Sequence, residues 1–171
     1  TEETEETEET EETEETEETE ETEATDSDKA EDNDADLDIA VDGALYAFLY
    51  HSGQACDSGT RLLVQEGIYD EFMKKFVERM GKVAIGPTPE KTTGFGPVVS
   101  EKQLNTIMSY IEKTKSEGAK LIYGGNRLMD GEFSKGYYVE PTAFEITPDN
   151  TIWHEEIFGP VAFVVPFLIN S

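Results

Sequence analysis

This sequence is short of bases, of cysteine and of long apolar runs, and each shortage excludes a class of function. Thirteen Lys and Arg stand against 39 Asp and Glu, for a formal net charge of −26. No basic stripe is present to neutralise phosphates, so nucleic acid is not an expected partner. The longest apolar run, Val161 to Ile169, is interrupted by Pro166. It falls far short of the roughly 20 residues a spanning helix needs, so no membrane association is expected. The N-terminal stretch has neither the basic region nor the apolar segment of a targeting peptide. Cys56 is the only cysteine. It excludes an internal disulfide framework and points to a reducing compartment, here expected to be cytoplasmic, or to a chemical role.

The acidity is concentrated at one end. Residues 1–38 hold 22 of the acids and one base, Lys29, and so carry −21 of the net charge. Residues 1–21 are seven copies of Thr-Glu-Glu. A period of three winds around a helix without forming a stripe, and crowded carboxylates repel one another. The expectation is a disordered, low-complexity tail over residues 1–30, followed by a folded domain over residues 31–171. An ordered calcium site is not expected, because the tail lacks Asp/Asn/Gly loop spacing. Engagement of a basic partner by the tail is a second reading.

Beyond the tail, apolar residues recur at helical spacing. Leu37, Val41, Ala44, Leu45 and Phe48 predict a helix capped by Asp34 or Asp36 and stopped near Gly53. A strand is read at Arg61–Val64, then a helix on Ile68, Phe72, Phe76, Met80 and Val83. Ser100 with Gln103 forms a capping-box pattern that opens a third helix, with Leu104, Ile107, Met108 and Ile111 facing inward. Lys120–Tyr123, an extended segment from Tyr137 to Ile146, and Val161–Phe167 complete the strands. Alternating helices and strands imply an α/β domain, with a mainly parallel twisted sheet and flanking helices.

Cys56 lies in His51-Ser-Gly-Gln-Ala-Cys-Asp-Ser-Gly-Thr-Arg61. Gly53 and Gly59 bracket the thiol, which suggests a tight loop between a helix and a strand. Thiolates are strong nucleophiles, but a lone cysteine is more often a small buried hydrophobe, and spacing alone does not decide between the two. The wider string Phe-Leu-Tyr-His-Ser-Gly-Gln-Ala-Cys-Asp-Ser-Gly-Thr-Arg resembles the active-site signature of aldehyde dehydrogenases. Asp34–Val41, Gly96–Leu104, Glu117–Gly125, Gly136–Thr142 and Glu155–Val161 are similar to segments of that family in the same order. The likeness spans about residues 31–168.

The resemblance implies an incomplete aldehyde-dehydrogenase-like catalytic domain. In that family a cysteine thiolate, here that of Cys56, attacks the carbonyl of a small-molecule aldehyde. Hydride passes to NAD or NADP, and water hydrolyses the resulting thioester. The backbone N–H of Cys56 would supply half of an oxyanion hole. The family's second motif maps onto Glu156, which would bind the nicotinamide-ribose hydroxyls, and Phe158, whose ring would pack beside the nicotinamide. Read on their own, Glu156 is a surface carboxylate and Phe158 a core aromatic.

The sequence also departs from the family pattern. No Glu-Leu-Gly-Gly, which carries the family's general base, occurs in the chain, and the cofactor domain has no counterpart. The last residues follow the Glu-Glu-Ile-Phe-Gly-Pro strand closely, without the family's later strands or oligomerisation arm. Asp57 and Ser58 directly follow Cys56, where the family usually has small uncharged residues, so a carboxylate stands next to the nucleophile. The expectation is impaired activity in isolation, with a homo-oligomer or a complementing chain as partner. A non-catalytic acidic interaction module and a weak thiol esterase are the alternatives. A Cys56–His51 dyad and a metal site at His154 are weighed and set aside, since adjacent carboxylates point apart and no second histidine lies at ligand spacing.

Overall fold

The computed structural model describes residues 35–87 and 94–168. The acidic repeat, the boundary at residues 30 and 31, the alternative cap Asp34 and the final residues lie outside the described residues. Helix α1 spans Leu37–Leu49, and the Asp36 carboxylate accepts from the backbone N–H groups of Asp38 and Ile39. Strand β1 (Arg61–Gln65), helix α2 (Tyr69–Met80) and helix α3 (Glu101–Ser116) follow. Then come β2 (Lys120–Tyr123), β3 (Arg127–Leu128), β4 (Tyr138–Val139), β5 (Thr142–Glu145) and β6 (Val161–Phe167). The sheet runs in the order β1-β6-β5-β2, and β3 pairs with β4 in a separate ribbon.

Strand β6 is parallel to both neighbours, with Arg61 opposite Phe163 on one side and Phe144 opposite Phe163 on the other. Strand β2 closes the sheet antiparallel to β5. A strand flanked on both sides and covered on both faces should be apolar throughout, and Val161 to Val165 are all buried. Because strand side chains alternate, β6 feeds two cores. Ala162 and Val164 join Val64, Ala143 and the inner faces of α1 and α2, including Val41, Phe48, Phe72, Phe76 and Met80. Val161, Phe163 and Val165 join Phe144 and the α3 residues Leu104, Ile107 and Ile111. The paired alanines Ala143 and Ala162 leave room on the first face. The Phe144 and Phe163 rings stack at 6.4 Å on the second.

Three sequence expectations are refined. The segment Tyr137–Ile146 is not one strand: Pro141, which has no backbone N–H to donate, separates β4 from β5. The stop of α1 is a turn rather than a single glycine, because His51, Ser52 and Gly53 all adopt positive φ of 50°, 59° and 69°. The capping box is only half formed. Ser100 Oγ accepts from the Gln103 backbone N–H at 3.2 Å, but the Gln103 side chain reaches elsewhere. Among the described residues, no helix is long and apolar enough to cross a membrane.

Candidate active site

Two loops, about a hundred residues apart in sequence, meet at the amino ends of β1 and β6. In open α/β sheets, ligand sites usually gather at the carboxyl ends, so here the position follows from the loops rather than from the sheet. The first loop carries Cys56. Its thiol is free and exposed, not sealed in the core. The Ser58 N–H donates to the Ala55 carbonyl at 3.1 Å, closing a turn with Cys56 and Asp57 at its centre. The Gly59 N–H donates to Ala47 of α1 at 3.0 Å. A Cβ at Gly59 would come within 2.8 Å of the Ala47 Cβ, so this close approach to α1 selects glycine.

The second loop is Glu155-Glu-Ile-Phe-Gly-Pro160. Gly53 joins it to the first. A Cβ at Gly53 would lie 2.1 Å from the Gly159 carbonyl oxygen and 2.9 Å from the Pro160 nitrogen, so the two backbones touch where only hydrogen fits. Gly159 in turn faces Ile107 of α3, whose methyl would be 2.5 Å from an added Cβ.

A third segment braces both loops. Ser52 Oγ, on a buried residue, donates to the Gly96 carbonyl at 2.9 Å, and Gln54 Oε1 accepts from the Val99 N–H at 2.9 Å. From the first turn of α3, Gln103 Nε2 donates to the Ile157 and Phe158 carbonyls at 2.9 and 2.8 Å. These bonds hold Phe158 at φ 60°, a left-handed conformation uncommon for a bulky residue, with the residue 39% exposed. Phe158 is therefore not the core aromatic its residue type suggests.

The two glutamates separate as neighbours on extended backbone do. The Glu155 carboxylate accepts from Tyr110 Oη of α3 at 3.3 Å, while Glu156 is exposed. Burial, with Glu155 beside it, pushes the Tyr110 hydroxyl above the usual phenol range. Arg61, the first residue of β1, donates to the backbone carbonyls of Trp153 and Glu155, and its guanidinium lies 5.7 Å from the Trp153 ring centre. Ser58 Oγ is buried with no hydrogen-bond partner among the described residues. Among those residues no group of three or more His, Cys, Asp or Glu side chains is placed to hold a metal ion.

A cleft of about 1010 Å³ opens beside the site. Its walls include Tyr46, Tyr50, His51, Gln54, Phe95 and Phe158, whereas Cys56 and Glu156 do not line it. This cleft and the thiol are thus neighbours through the His51–Gln54 turn and are not one cavity. The His51 ring lies 4.0 Å from that of Tyr50.

Sequence reasoning singled out Cys56, Glu156 and Phe158; in the structure the segment leading into the Cys56 turn touches, at Gly53, the loop that carries the other two. It missed Ser52, Gln54, Arg61 and Gln103, because polar side chains bonded to distant backbone leave no periodic signal. The glycine pair Gly53 and Gly159 was the available clue.

The sequence profile of the aldehyde dehydrogenase family matches residues 32–169. The chain belongs to the aldehyde dehydrogenase family. An aldehyde dehydrogenase from Bacillus cereus is 41% identical, with a TM-score of 0.74 over 81% of this chain. A betaine aldehyde dehydrogenase from Staphylococcus aureus, solved in complex with NAD+, is 38% identical, with a TM-score of 0.78 over 80% of the chain. HpcC from Thermus thermophilus is 36% identical, with a TM-score of 0.75 over 79%. The chain spans 27–28% of the length of these structures.

Proposed function

We propose that the described residues form the cysteine side of an NAD(P)-dependent aldehyde oxidation site, with a small-molecule aldehyde as substrate. The observation that carries this reading is the backbone contact of Gly53 with Gly159 and Pro160, which anchors the Cys56 loop against the loop bearing Glu156 and Phe158. The exposed Cys56 thiol is accessible for attack on a carbonyl carbon. In the proposed step the Cys56 sulfur bonds to that carbon, and the carbonyl oxygen becomes the hydroxyl of a thiohemiacetal. The Cys56 backbone N–H is proposed as one donor to the oxygen as its charge develops.

Among the described residues, those present suit the nicotinamide end of the cofactor. Glu156 offers an exposed carboxylate, an acceptor suited to ribose hydroxyls, and Phe158 offers a flat ring face held out of the core by Gln103. When bound, NAD(P)+ would supply a hydride acceptor; removal of that hydride together with the hydroxyl proton would leave a thioester on Cys56. Water then cleaves the carbon–sulfur bond, giving the carboxylic acid and returning the thiol. The general base and the adenine-binding residues are not assigned within the described residues. A complementing chain is the proposed partner that would supply them, while association with a second copy would have to serve another purpose.

Support also comes from the relatives: one of the S. aureus structures holds NAD+ and a cysteine modified by BME. The test is NADH formation from a short aldehyde. Turnover abolished by Cys56→Ala supports the reading; turnover that survives the substitution refutes it. The exposure of Cys56 favours one second reading, a weak thiol esterase. It predicts nitrophenyl acetate cleavage that requires Cys56 and is indifferent to NAD+.

A further inference from the structure

Residues 155–158 have no helix or strand to hold them, yet Glu156 must stand at a fixed place beside the Cys56 turn to serve a ligand there. Two side chains supply the missing order. Gln103 holds the Ile157 and Phe158 carbonyls from the α3 side. On the other side, Arg61 Nε and Nη2 donate to the Trp153 carbonyl at 3.0 and 2.8 Å, and Nη2 also donates to the Glu155 carbonyl at 2.8 Å. The Glu155 carbonyl belongs to the peptide unit that contains the Glu156 N–H. The guanidinium therefore grips the bond that sets where the Glu156 side chain starts.

The base of this grip is tied into the sheet. Arg61 sits at the first register position of the parallel β1–β6 pair, and Phe163 N–H donates to the Thr60 carbonyl at 2.7 Å. It is also five residues from Cys56 along the chain. One stem thus connects the thiol turn to the glutamate loop. A planar fork is required, because one group donates to two separate carbonyls while lying near the Trp153 ring; an ammonium point charge has no such geometry.

We propose that Arg61 is a positioning residue: it orders the Glu156 peptide relative to Cys56, so that the carboxylate meets the nicotinamide ribose preorganised. The ribose part of this inference rests on the function proposed above; the ordering of the loop does not. The test compares the full chain with Arg61→Lys and Arg61→Ala. Backbone amide exchange is measured at residues 154–158, and NADH affinity is measured by energy transfer from Trp153, the single tryptophan. Loss of charge-assisted bonds to the two carbonyls should weaken NADH about tenfold in Arg61→Lys. Exchange at 154–158 should rise well beyond that of the rest of the domain, with a modest fall in melting temperature, while the alkylation rate of Cys56 stays at its wild-type value. Free guanidinium ion added to Arg61→Ala should slow that exchange again, because Arg61 is exposed and its vacated place is open to solvent.

Unchanged exchange in both variants overturns the role of Arg61. So does exchange raised equally throughout the domain rather than at 154–158, or wild-type NADH affinity in a variant with a loosened loop. If the wild-type chain itself binds no NADH, the nicotinamide reading fails, and the exchange comparison alone upholds or overturns the ordering role.

Discussion

Gly53→Ala should loosen the junction on which the site depends, and its cost can be worked from the structure. Gly53 has φ +69°, where an L side chain costs roughly 1–2 kcal/mol. The new methyl would lie 2.1 Å from the Gly159 oxygen, against ordinary heavy-atom contacts of about 3.5 Å, so the loops must part by roughly 1 Å. The obstructing atoms are backbone rather than the tip of a flexible side chain. Forcing volume into packed surroundings costs typically 1–3 kcal/mol, giving about 2–5 kcal/mol in all. Small domains hold only about 5–15 kcal/mol, so the change is large. Gly43→Ala is the internal control: it lies within α1, with nothing inside 4 Å of the added methyl, and should stabilise by about 0.5–1 kcal/mol. Urea unfolding of both variants gives the comparison. A Gly53→Ala midpoint at or above that of Gly43→Ala would refute the close contact.

Three further outcomes are expected. Ser58→Ala removes a buried hydroxyl with no hydrogen-bond partner among the described residues, and should raise stability by about 1 kcal/mol in the same assay; a loss of that size would reveal an unrecognised partner. Phe48→Ala should cost about 3–5 kcal/mol, since Phe48 is fully buried against Phe76, and a loss below 1 kcal/mol would contradict the described core. Tyr69→Phe should destabilise the domain at neutral pH by about 1.5 kcal/mol, through loss of the 2.7 Å bond to Glu145.

That last bond has a pH signature. The Tyr69 bond first, then Lys120, hold the Glu145 carboxyl below its ordinary range. A lowered folded-state value adds stability that is complete above the unfolded carboxyl value and disappears as pH falls through the folded one. Burial first, then Glu145, push the Tyr69 hydroxyl upward, so its contribution is complete below about pH 10 and declines above that. The difference between wild type and Tyr69→Phe should therefore shrink on both the strongly acid and the strongly alkaline side. A difference that does not change with pH would count against this pairing.

The helices were legible because Val41, Phe48, Phe72, Phe76, Leu104, Ile107 and Ile111 repeat at the spacing their burial requires. Strand β6 was legible as a β-branched and aromatic run. The antiparallel ribbon of Arg127–Leu128 with Tyr138–Val139 was not, since two-residue strands carry no period. Cys56 was readable only as a lone thiol until the family likeness was added; Glu156 is exposed as its type suggests, whereas Phe158 would have been misread as a core aromatic. What places Phe158 outside the core is Gln103, whose partners are backbone carbonyls more than fifty residues away. Such bonds depend on tertiary contact and leave local sequence unmarked.

The most direct test of the central claim is the iodoacetamide alkylation rate of Cys56 in the folded chain, with and without NAD+. If the thiol turn and the Glu156–Phe158 loop form one site, bound NAD+ changes that rate. A rate equal to that of an unstructured thiol, and indifferent to NAD+, would mean that the two loops touch without sharing chemistry.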